Sequence, residues 1–129
     1  MILADTSIWV DHLRLSNAQM ASLLNRGKIA MHPFVVAEIA LGSLKNRRQK
    51  LGAMDLLRKV RVAQMSEVRH MIEANALYSK GIGLIDAHLI ASCLLTPGTQ
   101  LWTRDSALQK VAKALGILVD PARAGKSKP

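Results

Sequence analysis

Short apolar runs alternate with segments of helical periodicity along this chain. Residues 2–4 (Ile-Leu-Ala), 100–103 and 117–119 (Ile-Leu-Val) are too short for helices and almost wholly apolar. A strand that is apolar on both faces belongs in a parallel sheet with helices packed on each side. Further strands are expected at 28–31 and, more weakly, at 62–65. Helices are expected at 7–14 with Ser7 as its cap, from Asn17 to Gly27, from Pro33 onward, and over 46–60, 66–78, 84–95 and 106–115. This order predicts an α/β fold, a three-layer α/β/α sandwich around a central parallel sheet of four to five strands. The chain has 129 residues, half of them hydrophobic, and shows no repeat or linker. That is material for one compact domain, placed over 1–120. Residues 121–129, with Arg123, Lys126 and Lys128 among Gly, Ser and Pro, read as a short basic flexible tail.

Composition narrows the partners. Eighteen Lys and Arg against nine Asp and Glu give a net charge of +9, which favours a polyanion, nucleic acid first. Aromatics are limited to Trp9, Phe34, Tyr78 and Trp102, too few for a single-strand reader built on base stacking. The one cysteine, Cys93, lies among Ile90, Ala91, Leu94 and Leu95 and reads as a core hydrophobe. A disulfide framework and a cysteine zinc cage are therefore excluded. The opening Met-Ile-Leu-Ala-Asp is no secretory leader, and no apolar run of about 20 residues is present to cross a bilayer. A soluble cytoplasmic protein is expected.

Four acids stand in places that burial normally forbids. Asp5 closes the first strand and Asp105 follows the fourth. In an open parallel sheet, ligands bind beyond the carboxyl ends of the strands where their order reverses. Glu38 has Phe34 and Leu41 as helical neighbours, and Asp86 has Ile82, Leu89 and Ile90, so each interrupts an apolar stripe. Each acid alone has an ordinary explanation as a helix cap or an ion-pair member, and Asp105 is an ordinary N-cap candidate. If the four converge, like charges about 4 Å apart repel by about 4 kcal/mol at an effective dielectric near 20. Such a cluster takes up protons or binds cations, and an all-oxygen set suits Mg²⁺ or Mn²⁺. His12, His32, His70 and His88 show no ligand spacing and are expected at the surface or half-buried with partners. Setting the four acids aside from a net charge of +9 leaves +13 on the rest of the chain. A basic body around an acidic metal pocket fits a nuclease. Lys45, Arg47, Arg48 and Lys50 form a basic stretch that reads equally as an RNA-tracking surface or as a solvated helix face.

The surroundings of these acids resemble a known family. The opening Ile-Leu-Ala-Asp5-Thr6-Ser7-Ile8-Trp9-Val10-Asp11, the segment Ala37-Glu38-Ile39 with Gly42, the Gly-rich lead into a helix at Gly81-Ile82-Gly83-Leu84-Ile85-Asp86-Ala87-His88, and Leu101-Trp102-Thr103-Arg104-Asp105 are similar to the four acidic motifs of PIN-domain proteins. Within that family they resemble VapC-type toxins of bacterial toxin–antitoxin pairs. The resemblance implies an endoribonuclease dependent on Mg²⁺, with Mn²⁺ as substitute, that cuts structured RNA and slows translation. It implies Asp5, Asp86 and Asp105 as metal ligands, Glu38 as holder of metal or attacking water, and Thr6 and Thr103 as supporting hydroxyls. Asp11 reads instead as a solvated helix acid. A homodimer and a cognate VapB-type antitoxin are the partners implied.

Other classes fit less well. A receiver-type phosphoacceptor would need adjacent acids at the first strand, and Asp5 is alone. A haloacid-type phosphatase would need Asp at position 7, which is Ser. A flap-type nuclease would need clamp elements for which the chain has no room. A non-catalytic RNA- or antitoxin-binding module with the same pocket remains the alternative. Because like charges repel, removing either Asp5 or Asp86 is expected to leave stability unchanged or raised.

Overall fold

The computed structural model describes residues 1–123. Its elements run β1 (Ile2–Ala4), α1 (Thr6–Leu15), α2 (Ala18–Asn25), β2 (Ile29–Met31), α3 (Pro33–Ala40), α4 (Arg47–Asp55), β3 (Arg58–Lys59), α5 (Met65–Ala74), α6 (Leu84–Leu95), β4 (Gln100–Trp102) and α7 (Ser106–Ala114). The four strands form one sheet in the order β3-β2-β1-β4, and every pairing is parallel. Seven helices among the described residues flank it, so the expected α/β/α architecture is present. The basic tail expected over 121–129 lies, from residue 124 onward, outside the described residues.

The apolar runs explain the centre of the sheet. β1 and β2 are buried throughout, and β1 pairs on both sides, with Ile2 opposite Ile29 and Gln100 and Leu3 opposite Ala30 and Leu101. Leu3, Ile8, Met20, Leu89, Ile90, Leu101 and Leu108 have essentially no exposure, and Cys93 is buried with them as a core hydrophobe. α6 runs through this core, buried from Ala87 to Cys93. Gly81 precedes it at φ +79, a backbone geometry that L side chains rarely adopt. No helix among the described residues is long and apolar enough to cross a membrane.

Residues 117–119 join the sheet by an isolated bridge. Leu118 bridges Leu101 in parallel, the Leu101 amide donates to the Ile117 carbonyl at 2.7 Å, and the Val119 amide donates to the Leu101 carbonyl at 3.0 Å. From β1 the chain therefore builds towards β2 on one side and towards β4 on the other. The order reverses at β1/β4, which puts the predicted ligand crevice at the ends carrying Asp5 and Asp105.

Three local expectations change. The third strand is Arg58–Lys59 rather than 62–65, and it is exposed. A charged edge strand carries no apolar run by which to recognise it, and charge there discourages edge-to-edge pairing. The basic helix stops at Asp55 rather than running to 60, and Lys59 donates to the Asp55 carbonyl at 2.6 Å. Leu51 and Met54 nonetheless take its inner side, as the periodicity predicts. α5 opens with the Gln64 amide donating to Glu67 Oε1 at 2.9 Å and ends at Ala74, short of the expected 78.

Candidate active site

Asp5 sits where β1 becomes α1, and it caps that helix in place of Ser7. Its Oδ1 accepts from the Ile8 amide at 3.2 Å and from the Ser7 hydroxyl at 2.5 Å. Its Oδ2 accepts from the Thr103 hydroxyl. Its backbone amide donates to the Trp102 carbonyl at 3.0 Å, which stitches the end of β1 to the end of β4. The carboxylate is only 6% exposed. Thr103, itself buried, also accepts from the Asp105 amide at 3.0 Å, so one hydroxyl joins the two aspartates. Asp105 caps α7, its Oδ1 accepting from the Leu108 amide at 2.8 Å.

The other two acids reach the same end of the sheet from helices. Glu38 on α3 accepts at Oε1 from the Thr6 hydroxyl at 2.7 Å, which ties it to the residue after Asp5. Asp86 lies in the first turn of α6, and its Oδ2 accepts from the Gly83 amide at 3.1 Å. Asp86 holds its proton more tightly than an ordinary aspartate. Burial is the first cause and the negative charge of Asp105, Asp5 and Glu38 adds to it, against the Gly83 bond, which favours ionisation. Asp86 thus lies within electrostatic reach of the other three acids.

Among the described residues, the bonds these acids accept come from hydroxyls and backbone amides and not from cations. Asp86, Asp105 and Glu38 each anchor one oxygen and leave the second without a bond among the described residues. No three carboxylate, imidazole or thiol groups among those residues stand close enough to enclose an ion as they are. The donors are nevertheless all hard oxygens at one electrostatic focus, a set that fits Mg²⁺ or Mn²⁺ and not a thiolate- or imidazole-seeking metal.

Residues 2–114 match the PIN domain family. The chain belongs to that family. It is also 38% identical over 117 residues, covering 91% of this chain and 94% of the relative, to Ribonuclease VapC32 from two strains of Mycobacterium tuberculosis. This PIN-domain chain is of VapC type.

The basic stretch divides when seen on the VapC-type fold. Lys45 and Lys50 line a groove of about 620 Å³ that also carries Glu38 and Arg14. Arg47 instead closes the end of α3, donating to the carbonyls of Gly42 at 3.2 Å and Ala40 at 2.5 Å. Its guanidinium satisfies carbonyls that the helix leaves open, which is a structural role. Arg48 is exposed and does not line that groove.

Three features were not foreseen. Ser7 is a partner of Asp5 rather than a cap, and its hydroxyl also accepts from the Arg104 amide at 3.3 Å. Asp11 is not simply solvated, because it pairs with Arg104 at 2.9 Å and accepts from Asn17 Nδ2 at 3.2 Å. The spacing Asp5-Thr6-Ser7 hinted at the first, while nothing in sequence links residues 11 and 104.

The third is a pair of buried histidines, contrary to the expectation of surface or satisfied rings. His32 has no exposure and His88 has 3%, and Phe34 packs edge-on against His88 with ring centroids 4.7 Å apart. His32 Nδ1 accepts from the Phe34 amide at 3.0 Å, which places the proton on Nε2, and that atom has no partner among the described residues. Burial, then the nearby His88, pushes the His32 pKa down from 6.5 to about 4. The unfolded chain therefore binds a proton in the window from pH 6.5 to 4 that the folded protein refuses. The stability contributed by neutral His32 is whole above pH 6.5 and is lost as pH falls towards 4, by about 3 kcal/mol in total. His32→Asn keeps an acceptor for the Phe34 amide. It should flatten the fall in melting temperature across that window, and an unchanged slope would rule out this origin.

Proposed function

We propose that this chain is a divalent-metal-dependent endoribonuclease of the VapC toxin type, its nuclease domain spanning 1–120. The observation that carries the proposal is the shared electrostatic focus of Asp5, Glu38, Asp86 and Asp105 at the carboxyl ends of β1 and β4, set in a chain otherwise charged +13. The relatives named Ribonuclease VapC32 support it independently.

Asp5, Asp86 and Asp105 would hold Mg²⁺, with Mn²⁺ as substitute. When bound, such an ion lowers the pKa of a water and neutralises the charge that builds on phosphoryl oxygens. Thr103 keeps Asp5 and Asp105 in register with each other. Glu38, steadied by Thr6 through one oxygen, uses the other to position the attacking water and take its proton. Attack on phosphorus in line with the 3′ oxygen leaves a 5′-phosphate and a 3′-hydroxyl. Lys45 and Lys50 draw the RNA backbone along the groove towards Glu38, with Arg48 on the same helix as Lys50 adding positive charge outside the groove. Structured RNA, transfer or ribosomal, is the substrate class, and cutting it slows translation in the cytoplasm. A VapB-type antitoxin neutralises the enzyme, which works as a homodimer.

The test is purified protein with a pool of transfer RNA, with Mn²⁺ or with chelator, followed by end mapping. Cleavage should require the metal and yield 5′-phosphate ends. A 2′,3′-cyclic phosphate as main product would overturn the water mechanism. RNA binding without chelator-sensitive cleavage would overturn the enzyme in favour of a binding module.

A further inference from the structure

Beside the acids a cationic cavity adjoins the groove of Lys45 and Lys50 and shares Val10, Arg14 and Leu15 with it. It measures about 520 Å³, with Thr6 and Ser7, the hydroxyl partners of Glu38 and Asp5, on its wall and Arg14 and Arg104 at its rim. Arg104 stands between Thr103 and Asp105, and its backbone amide donates to Ser7. Its side chain is 63% exposed, with one nitrogen, Nη1, held by Asp11 at 2.9 Å. That bond aims the guanidinium and leaves its other donors free. Arg14 follows Asp11 by one turn of α1, is exposed, and has no ion-pair partner among the described residues. Two cations against one acid leave the cavity positive, one residue away from the most acidic part of the molecule.

We propose that Arg104 and Arg14 form a subsite for the backbone phosphate next to the one that is cut. The inference rests on the ribonuclease reading. It adds how the substrate's register is set. An acidic focus repels RNA at every phosphate except the one its cations neutralise, so a neighbouring phosphate needs a separate positive seat. A guanidinium binds phosphate through paired donors, and Arg104 has donors to spare beyond the one Asp11 holds. Asp11 is a positioning residue for Arg104, and neither arginine takes part in bond breaking.

The test uses the full chain and a labelled single-stranded oligoribonucleotide in chelator, with binding measured across a series of KCl concentrations. Each single-strand phosphate contact contributes about 0.7 to the slope of log affinity against log salt. Arg104→Ala should lower that slope by about 0.7 and, with metal added, raise KM about tenfold with kcat little changed. Arg104→Lys should restore the slope. A neutral methylphosphonate at the adjacent position should weaken the wild type and weaken Arg104→Ala by less, since only Arg14 is left there to lose its partner.

Asp11→Ala separates this from a merely structural ion pair. It breaks the same pair but keeps both cations, so the salt slope should hold while affinity falls by less than in Arg104→Ala, because Arg104 loses only its positioning. Loss equal to that of Arg104→Ala would overturn the proposal. An unchanged slope in Arg104→Ala, with cleavage intact, would overturn the subsite and leave the nuclease standing. RNA binding with the predicted slope change but no cleavage would support the subsite and remove the nuclease. Lost affinity for an acidic peptide with RNA binding unchanged would overturn it in favour of a protein partner.

Discussion

Asp86→Asn should lower RNA cleavage by at least about 10³-fold while the metal-free protein melts at the same temperature or higher. Three observations combine here. Burial of Asp86, and after it the charges of Asp105, Asp5 and Glu38, make its ionised form cost the fold stability at neutral pH. Its carboxyl is raised above the ordinary value, which means the folded state binds its proton more readily than the unfolded one. That cost is present at neutral pH and fades as pH falls through the raised value. The amide removes the charge, yet its Oδ1 can still accept from the Gly83 amide and start α6. If Asp86 is a ligand of the proposed ion, the effect corresponds, at about 1.4 kcal/mol per tenfold, to about 4 kcal/mol of lost transition-state stabilisation. Calorimetry with chelator and a cleavage assay with Mn²⁺ check both halves. Cleavage near the wild-type rate would remove Asp86 from the site.

Asp5→Ala should be equally inactive and, unlike Asp86→Asn, markedly less stable. The sequence suggested that relieving repulsion would spare the fold at either position. The structure changes that expectation for Asp5. Its carboxylate is buried and accepts from Ile8, Ser7 and Thr103. Alanine removes a helix cap, worth about 1 kcal/mol, and leaves buried donors unmet at about 1–3 kcal/mol each. A loss of about 3 kcal/mol, or roughly 10 °C in melting temperature, is expected. Asp5→Asn should recover part of it, because an amide oxygen can still cap α1, without recovering cleavage. An alanine variant as stable as the wild type would mean that these bonds are not holding the β1–β4 junction.

Much of this was readable from the chain because the signals are local. Three-residue apolar runs bounded by an acid gave β1 and the carboxyl ends at which Asp5 and Asp105 stand. Gly81 and Gly83 before a run of apolar residues mark α6 as Leu84–Leu95, with Asp86 in its first turn. The short apolar run at 117–119 was found too, though it joins by one bridge only. The sequence could not reveal features whose cause is distant. β3 is a strand because β2 offers it an edge, not because Arg58 and Lys59 favour one. Asp11 and Arg104 meet across 93 positions of sequence. His32 and His88 look like any other histidines until the core closes over them. Asp5 displaced Ser7 as a cap because both were suitable and only the end of β4, through Thr103, decides between them.

Three helices, α1, α6 and α7, begin on or beside acids of the site. The partial positive charge at each helix start leans on the carboxylate at the cap of α1 and α7 or in the first turn of α6. Mutual repulsion is therefore blunted in advance, and each side chain has one oxygen moored to a peptide group. Loading with a divalent ion should then call for small rotations of already-placed groups, with little movement of the main chain. The rigidity needed for chemistry is inherited from the way the secondary structure starts.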